Sequence, residues 1–217
     1  MARSDISWCE VGARIVIIDI ARDIYLQLPQ HLAEAFHALR RDGARGDGAA
    51  KQFEALARIG LCDADFRRPV EPASITVPDR DLPQLAMDAW PHSALAKATA
   101  LARIVAARLA VRALPLRVLV TWIRRVQAQP STPSPPDAAA AATALFVQAR
   151  QLAPGRGTCL PDSIALLHVL RARKIACHMV LGVRLDPFEA HCWIQSADAI
   201  LGDTHERVAC FTPILQL

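Results

Sequence analysis

The sequence predicts an α+β protein built from two domains, and three patterns lead to this prediction. Near the start, three segments rich in β-forming residues (7–11, 14–20 and 24–28) alternate with turn residues, and a helical pattern follows from about Gln30. The middle of the chain has the alanine- and leucine-rich composition of helices. The last third places a helical pattern before several strand-like segments, the last of them at 208–213. A chain of 217 residues is long enough to give each of two domains a hydrophobic core.

The cysteines and the first residues indicate a reducing compartment. Residues 1–11 carry charged and polar side chains where the apolar part of a secretory signal peptide would lie, so we expect no export signal. The six cysteines are scattered without a CxxC spacing, which fits neither a disulfide framework nor a zinc site. We expect no metal at Cys177 and His178, because adjacent residues on a strand point to opposite faces. These features favour the cytoplasm.

The first candidate functional residue is Cys159. Thr158 is a suitable helix N-cap, Cys159 follows at the first helical position, and Pro161 is tolerated in the first turn. Apolar residues then recur at helical spacing, so we predict a helix of about four turns up to Arg173. A thiol at a helix N-terminus lies near free backbone N–H groups and the positive end of the helix dipole. Both favour the thiolate, which is the nucleophilic form.

The second and third candidates, His191 and Asp203, belong to a predicted hairpin. Strand-like segments at 190–196 and 199–202 flank a short polar tip. If a three-residue tip centres on Ala197, His191 lies directly opposite Asp203, close enough for the carboxylate to hold an imidazole N–H. A slip of one residue would place Cys192 opposite Asp203 and is expected to break the pair.

A cysteine on a helix, followed by a histidine and an aspartate on strands, is the order of papain-like and transglutaminase-like thiol enzymes. In such enzymes the histidine takes the thiol proton and later donates it to the leaving amine, while the acid orients the histidine. The alternative is that Cys159 and His191 are ordinary core residues, since free cysteines are mostly buried. The occurrence of all three residues in order and in matched register favours the catalytic interpretation.

The sequence around these residues resembles the lasso-peptide B protein, the transglutaminase-like leader peptidase of lasso-peptide biosynthesis. The matching residues are Thr158, Cys159, Leu160, Pro161, Ser163, Ala165, Leu166, Gly182, Val183, Arg184, Phe188, Glu189, Ala190, His191, Trp193, Gly202 and Asp203. The resemblance implies a catalytic triad of Cys159, His191 and Asp203. It also implies that this chain uses no cofactor, and that its product passes to an asparagine-synthetase-like lasso cyclase, which uses ATP.

The N-terminal segment resembles the precursor-peptide recognition element, a winged helix-turn-helix-like module that binds a leader peptide as an added strand. The resemblance rests on the strand pattern, the helix after it, and the Phe-x-x-Leu-x-x-x-Gly-Leu motif that begins at Phe53. It implies a leader-binding groove formed by Tyr25, Leu26 and Leu28 on an edge strand and by Phe53 on a helix. The alternative is that these four are core residues. The module's middle helix has no counterpart between residues 42 and 48.

Together the two resemblances imply a small winged helix-turn-helix-like N-terminal domain plus a transglutaminase/papain-like cysteine protease domain. The expected boundaries are the recognition element at 1–68, a proline-rich linker at 69–84 and the peptidase domain at 85–217. We expect no nucleic-acid partner, because residues 1–70 hold ten Lys or Arg and ten Asp or Glu, without the basic excess that DNA binding requires.

The stretch 89–136 is basic throughout. It contains no Asp or Glu, and helices are predicted at 94–114 and 116–126. Its Lys and Arg residues are Lys97, Arg103, Arg108, Arg112, Arg117, Arg124 and Arg125. Its apolar runs are far shorter than the ~20 residues of a membrane span. Two interpretations are open: a solvated helix face, or a docking surface for an acidic partner, such as the cyclase, or for a membrane surface.

The expected function is that of a cytoplasmic cysteine protease that removes the leader from a lasso precursor peptide and supplies the core to the cyclase. Two alternatives are open. The same triad serves acyl transfer, as in transglutaminases and arylamine acetyltransferases, where an amine replaces water. The other alternative is a leader-binding scaffold without catalysis.

Overall fold

The computed structural model describes residues 5–42, 50–63, 69–82, 90–131, 136–154 and 158–217. The chain divides into two compact units, residues 1–74 and 75–217. Helices and antiparallel sheets occur in both, which confirms the predicted α+β class.

The first unit is a three-stranded antiparallel sheet followed by two helices. Its elements are β1 (Ile6–Val11), β2 (Arg14–Asp19), β3 (Ile24–Gln27), α1 (Gln30–Asp42) and α2 (Ala50–Ile59). The strand order β1-β2-β3 leaves β3 at one edge. The three predicted strands and the helix from Gln30 are confirmed. The segment without a middle helix, predicted at 42–48, falls almost entirely on residues 43–49, which lie outside the described part of the chain.

The core of the first unit is built around Trp8 and Phe36, whose rings meet edge to face at 5.0 Å. The indole N–H of Trp8 donates to the carbonyl oxygen of Val70 at 2.7 Å. Arg40 lies over the Trp8 ring and pairs with Glu71 at 3.1 Å. Val70 and Glu71, which follow the predicted end of this domain at residue 68, therefore pack with the first unit.

The second unit packs helices against a four-stranded antiparallel sheet. Its elements are α3 (Ala94–Ala113), α4 (Leu116–Gln127), α5 (Pro136–Leu152), α6 (Cys159–Arg171), β4 (His178–Arg184), β5 (Glu189–Gln195), β6 (Ile200–Leu201), α7 (His205–Val208) and β7 (Thr212–Gln216). The sheet order is β6-β5-β4-β7. α6 is buried along most of its length, between α3 and α5 on one side and β5 on the other. This central position brings the start of α6 against the middle of the sheet.

The end of α6 and the position of the last strand differ from the sequence prediction. α6 ends at Arg171 rather than Arg173. The last strand is β7, at Thr212–Gln216, and not 208–213, because residues before it form the short helix α7. The Thr204 hydroxyl caps this helix by accepting a hydrogen bond from the Arg207 N–H at 3.3 Å. Local capping thus outweighs the strand propensity of Val208.

Residues 75–82 follow the edge of the second unit's sheet. Ile200 N–H donates to the Arg80 carbonyl at 3.0 Å, and Leu82 N–H donates to the Ile200 carbonyl at 3.2 Å. Thr76 accepts a hydrogen bond from the Gln195 side chain at 2.7 Å. The expected linker at 69–84 is thus divided between the two units, and residues 83–89 lie outside the described chain. No helix among the described residues is long and apolar enough to cross a membrane.

Candidate active site

Cys159 is the first residue of α6, as predicted. Thr158 occupies the N-cap position with extended backbone angles, but its side chain makes no capping hydrogen bond. Its carbonyl instead accepts the Asp162 N–H at 3.3 Å. The cysteine is partly buried, which leaves its sulfur accessible from one side. The cap chemistry expected of Thr158 therefore does not form, although the start of the helix is as predicted.

His191 connects Cys159 to Asp203. Its Nε2 lies 2.6 Å from Oδ2 of Asp203, and its ring also hydrogen-bonds to the Cys159 side chain. Because the carboxylate engages Nε2, Nδ1 is left for the sulfur. The other carboxylate oxygen of Asp203 accepts the Thr204 N–H at 2.8 Å. The imidazole side chain is only 3% exposed, so solvent competes little for these bonds.

The predicted hairpin register is wrong, and the pair forms nevertheless. Ile194 pairs with Leu201 and Gln195 with Ile200, so the tip has four residues, 196–199, instead of three centred on Ala197. The Ser196 hydroxyl accepts the N–H groups of residues 198 and 199, which stabilises this longer tip.

Asp203 reaches His191 from outside the strand ladder. β6 has only two residues and ends before Gly202, whose φ of +74° turns the chain. Asp203 therefore does not occupy the ladder position opposite Cys192 that the one-residue slip implies. The one-residue slip does not break the pair, contrary to the prediction, because the strand ends at Leu201 and the chain turns at Gly202 before Asp203.

Gly202→Ala is expected to destabilise the second unit by about 2–4 kcal/mol, and to lower the activity by displacing Asp203. A Cβ at this position would lie 2.7 Å from Cδ2 of the buried Leu166, in addition to the cost of the left-handed backbone. Thermal unfolding measures the change. Gly12→Ala is the control for the backbone cost alone, since Gly12 also has a positive φ but nothing within 4 Å of the added Cβ. An unchanged unfolding temperature for Gly202→Ala would contradict this account of the turn.

The surroundings of Cys159 favour its thiolate. Its pKa is lowered to about 4. The hydrogen bond from the Cys192 thiol contributes most, burial opposes it, and the bonds to His191 and to the backbone N–H of Cys192 add to it. Contact with Cys159 and complete burial raise the pKa of Cys192 well above its ordinary value, so Cys192 keeps its proton. The Ser163 hydroxyl donates to the Cys192 carbonyl at 3.1 Å and ties α6 to β5 here.

The surroundings of His191 favour its imidazolium. Burial lowers the pKa of His191, but the hydrogen bonds to Asp203 and Cys159 outweigh burial and raise the pKa to about 9. Burial acts against ionisation of Asp203, yet the bonds from His191 and Thr204 lower its pKa. A thiolate–imidazolium pair therefore exists between about pH 4 and pH 9.

Alkylation of Cys159 by iodoacetamide is expected to persist well below neutral pH. Only the thiolate reacts, and a pKa of about 4 keeps this form present until the pH falls through that value. Peptide mass spectrometry after labelling at a series of pH values measures the midpoint. Cys9 and Cys177 serve as internal references, because burial raises the pKa of each to about 12 and blocks access. A midpoint for Cys159 near the ordinary thiol value of about 8.5 would contradict the ion pair.

Two aromatic rings hold the His191 imidazole in place. The Trp193 ring lies nearly parallel to it at 6.1 Å, and the Phe211 ring is tilted at 5.0 Å. Gly182 makes room for this arrangement, because a Cβ there would lie 2.8 Å from the Trp193 ring. The Arg184 guanidinium lies over the Phe211 ring, 5.4 Å from its centroid. Gly182, Trp193 and Arg184 belong to the motif that carries the resemblance, whereas no sequence signal identified Phe211.

A cleft of about 150 Å³ opens at these residues. Its lining residues are Phe146, Thr158, Cys159, Asp162, Ser163, Leu166, His191, Cys192, Trp193, Ile194, Leu201, Gly202, Asp203 and Arg207. Asp162 is neutralised by Arg150 at 2.7 Å. Arg207, which the sequence analysis did not single out, lies at the rim and acts electrostatically on both His191 and Asp203. The described residues include no group of three or more side chains placed to hold a metal ion.

The four expected leader-binding residues divide into two pairs. Leu28 is 3% exposed and Phe53 is 6% exposed, and both belong to the core of the first unit. Tyr25 and Leu26 are half-buried on the edge strand β3, where Leu26 packs partly against that core. A peptide on this edge would therefore meet Tyr25 and Leu26, while Leu28 and Phe53 support the strand and helix from inside.

Comparison with known proteins identifies the class of the second unit. Residues 93–216 match the Transglutaminase-like superfamily; the match covers more than half of the chain, which therefore belongs to this family. A segment of 48 residues is 38% identical to the Microcin J25-processing protein McjB of Escherichia coli. That segment covers 22% of this chain and 23% of the length of McjB. No solved structure matches the chain significantly.

Proposed function

We propose that this protein is a cysteine peptidase that removes the leader from a lasso precursor peptide, with Cys159, His191 and Asp203 as its catalytic triad. The observation that carries the proposal is the contact of one buried imidazole with both a thiol and a carboxylate in an open cleft. Membership of the transglutaminase-like family and the local similarity to a microcin-processing protein support it.

In the proposed reaction the Cys159 thiolate attacks the carbonyl carbon at the end of the leader, and a C–S bond forms. Backbone N–H groups stabilise the oxyanion, and that of Cys159 at the helix start is a candidate donor. The His191 imidazolium donates its proton to the leaving amine as the C–N bond breaks. Water, deprotonated by His191, then attacks the thioester carbonyl. The C–S bond breaks, which releases the leader as a carboxylic acid and restores the Cys159 thiolate beside the His191 imidazolium. Asp203 holds the ring orientation through both steps.

The first unit, residues 1–74, is proposed as the recognition element, and the second, residues 75–217, as the peptidase domain. The edge position of β3 supports this assignment, since an edge strand offers unpaired backbone groups to an incoming peptide strand. Tyr25 and Leu26 would contact the leader, and Leu28 and Phe53 would hold the edge in place. The winged helix-turn-helix-like character of the unit is part of the proposal.

The amine released from the core peptide is the nucleophile for ring closure. We assign the joining of this amine to an Asp or Glu side chain to an asparagine-synthetase-like lasso cyclase that uses ATP, because the proposed chemistry of this chain consumes only water. The precursor, this chain and the cyclase would then act in the cytoplasm. No cofactor is assigned to this chain.

Acyl transfer is the second candidate, because the family as a whole is named for amide exchange. The same thioester would then be attacked by an amine instead of water. Mass spectrometry of the precursor encoded beside this protein, with and without a primary amine added in excess, separates the two. A leader ending in a free carboxylate in both samples supports the peptidase. A leader heavier than this carboxylate by the mass of the amine less one water supports the transferase. An intact precursor that still binds would favour the scaffold.

A further inference from the structure

The outer face of α3 is apolar. Leu95 is 78% exposed, Leu109 is 58% exposed and Val105 is 41% exposed. Val105 and Leu109 are four residues apart and so share a face of the helix, and the exposed alanines Ala98 and Ala102 extend it towards the N-terminus. A helix that packs on its own core with one face normally presents polar residues on the other. The packing of the second unit does not account for this apolar face.

Two arginines of α3 are turned towards the protein. Arg108 donates to the carbonyl oxygen of Pro154 and lies 3.9 Å from the carboxylate of Asp162. Arg103 is half-buried and lies close to His168, whose pKa is lowered by burial and by that charge. Arg103 and Arg108 thus lie inward while Leu95, Val105 and Leu109 lie outward, an arrangement unlike that of an ordinary solvated helix face.

α4 presents arginines and apolar side chains together. Val118, Trp122 and Arg125 follow one another at spacings of four and three residues, and Arg117 and Arg124 lie beside them. Val118 is 41% exposed and Trp122 is 38% exposed. All three arginines are exposed. This combination of tryptophan, aliphatic and arginine side chains is typical of helices that lie in a membrane interface.

The positive charge of the stretch 89–136 indicates what kind of partner could bind there. The stretch 89–136 holds seven Lys or Arg and no Asp or Glu, whereas ordinary solvated surfaces mix both signs. A fitting partner must be anionic over a broad area and must accept apolar groups between the positive charges. An acidic protein supplies the first property. A bilayer with anionic headgroups supplies both, along the full ~30 Å of α3.

The α3–α4 face is defined by Leu95, Val105, Leu109, Arg112, Leu114, Arg117, Val118, Trp122, Arg124 and Arg125. We infer that this face binds the surface of a membrane containing anionic lipids. The Trp122 ring stacks on His168 at 4.3 Å and leaves 38% of the side chain exposed. Leucine side chains and this exposed part of Trp122 enter the headgroup region, and the arginines meet the phosphates. The inference does not depend on the proposed peptidase activity.

Flotation of the full-length protein with vesicles tests the inference. We expect the protein to float with phosphatidylcholine vesicles that contain phosphatidylglycerol, and to stay behind with pure phosphatidylcholine. Salt at 0.5 M should release most of it, since the Debye length then falls well below ~8 Å. Failure to float with anionic vesicles at low salt overturns the inference, and retention on immobilised polyglutamate would then assign the face to an acidic protein.

Paired variants locate the binding surface. Arg117→Gln with Arg125→Gln is expected to weaken partitioning about fivefold per arginine, while Arg58→Gln on the exposed side of α2 leaves it unchanged. Leu109→Gln should weaken binding, whereas Leu152→Gln, at a leucine that is 62% exposed on α5, should not. Equal effects of a variant and its control would overturn the assignment to this face.

Tryptophan fluorescence gives an independent readout. Brominated lipids quench indoles that enter the bilayer, and we expect quenching of the wild type on anionic vesicles. Trp122→Phe should remove most of this quenching while the protein still floats, because the arginines are intact. Quenching that persists unchanged in Trp122→Phe would contradict insertion of the α3–α4 face.

Discussion

Cys159→Ala is expected to reduce cleavage of the precursor by about 10⁴-fold or more and to leave leader binding unchanged. The variant removes the only atom that can form the thioester in the proposed reaction. The other triad members cannot compensate, because residues that act as one unit do not contribute additively. Mass spectrometry of the peptide products over a time course measures the rate, and fluorescence anisotropy of a labelled leader measures binding.

Cys210→Ala is the matched control for this variant. Cys210 is exposed and is not among the residues that line the cleft, so its removal should leave the cleavage rate within twofold of the wild type. Cleavage by Cys159→Ala within tenfold of the wild-type rate would contradict the assignment of the nucleophile. Loss of binding together with cleavage would instead indicate that the substitution disturbs the fold.

Asp203→Asn is expected to lower kcat by about 10²–10⁴-fold with little change in stability. The amide keeps the shape of the carboxylate but loses its charge, so it no longer raises the pKa of His191. The upper limit of the active pH range, expected near pH 9 in the wild type, should therefore move down. A weaker imidazolium also leaves Cys159 protonated over more of the range.

The pH profile separates this role from a structural one. A variant that merely loosens the hairpin loses activity equally at every pH, whereas loss of the carboxylate shifts the upper limb. Asp198→Asn is the control, because Asp198 is an exposed aspartate at the tip of the same hairpin. An Asp203→Asn enzyme with the wild-type kcat and pH profile would contradict the orienting role.

The order of the site residues was predictable from the sequence, but the way in which Asp203 reaches His191 was not. Periodicity places Cys159 at a helix start and His191 on a strand, because each lies within a long regular pattern. The hairpin tip is decided by hydrogen bonds of one serine hydroxyl, at Ser196, and by a left-handed turn at Gly202. These local interactions do not alter the alternation of apolar and polar residues, so the length of the tip and the turn at Gly202 could not be predicted from the sequence pattern.

Contacts between residues that are brought together only by the tertiary fold could not be predicted from the sequence either. Cys192 is adjacent to His191 on β5, and alternation along a strand predicts that the two side chains point apart. Both nevertheless contact Cys159, because α6 crosses close to β5 and is tied to it through Ser163. Phe211 likewise contacts the imidazole from the segment before β7, although it belongs to no motif.

In the N-terminal unit and in α3, composition does not predict which apolar residues are buried and which are exposed. A leucine or phenylalanine pattern indicates that Leu28 and Phe53 contribute to a surface or a core, but burial alone distinguishes the two. In α3, apolar residues occur on several faces, so the sequence gives no indication that Ala100 and Ile104 face inward while Val105 and Leu109 face out. Tertiary packing selects the buried face.

The most direct test of the central claim uses a leader peptide whose last carbonyl carries a chloromethyl group in place of the leaving amine, which makes it a chloromethyl ketone. After incubation with the wild-type protein, digestion and mass spectrometry identify the modified residue. We expect a single adduct on the Cys159 sulfur, formed across the range from about pH 4 to pH 9 and absent in Cys159→Ala. An adduct on Cys192 or Cys210, or an unmodified Cys159 in a preparation that still cleaves the precursor, would contradict it.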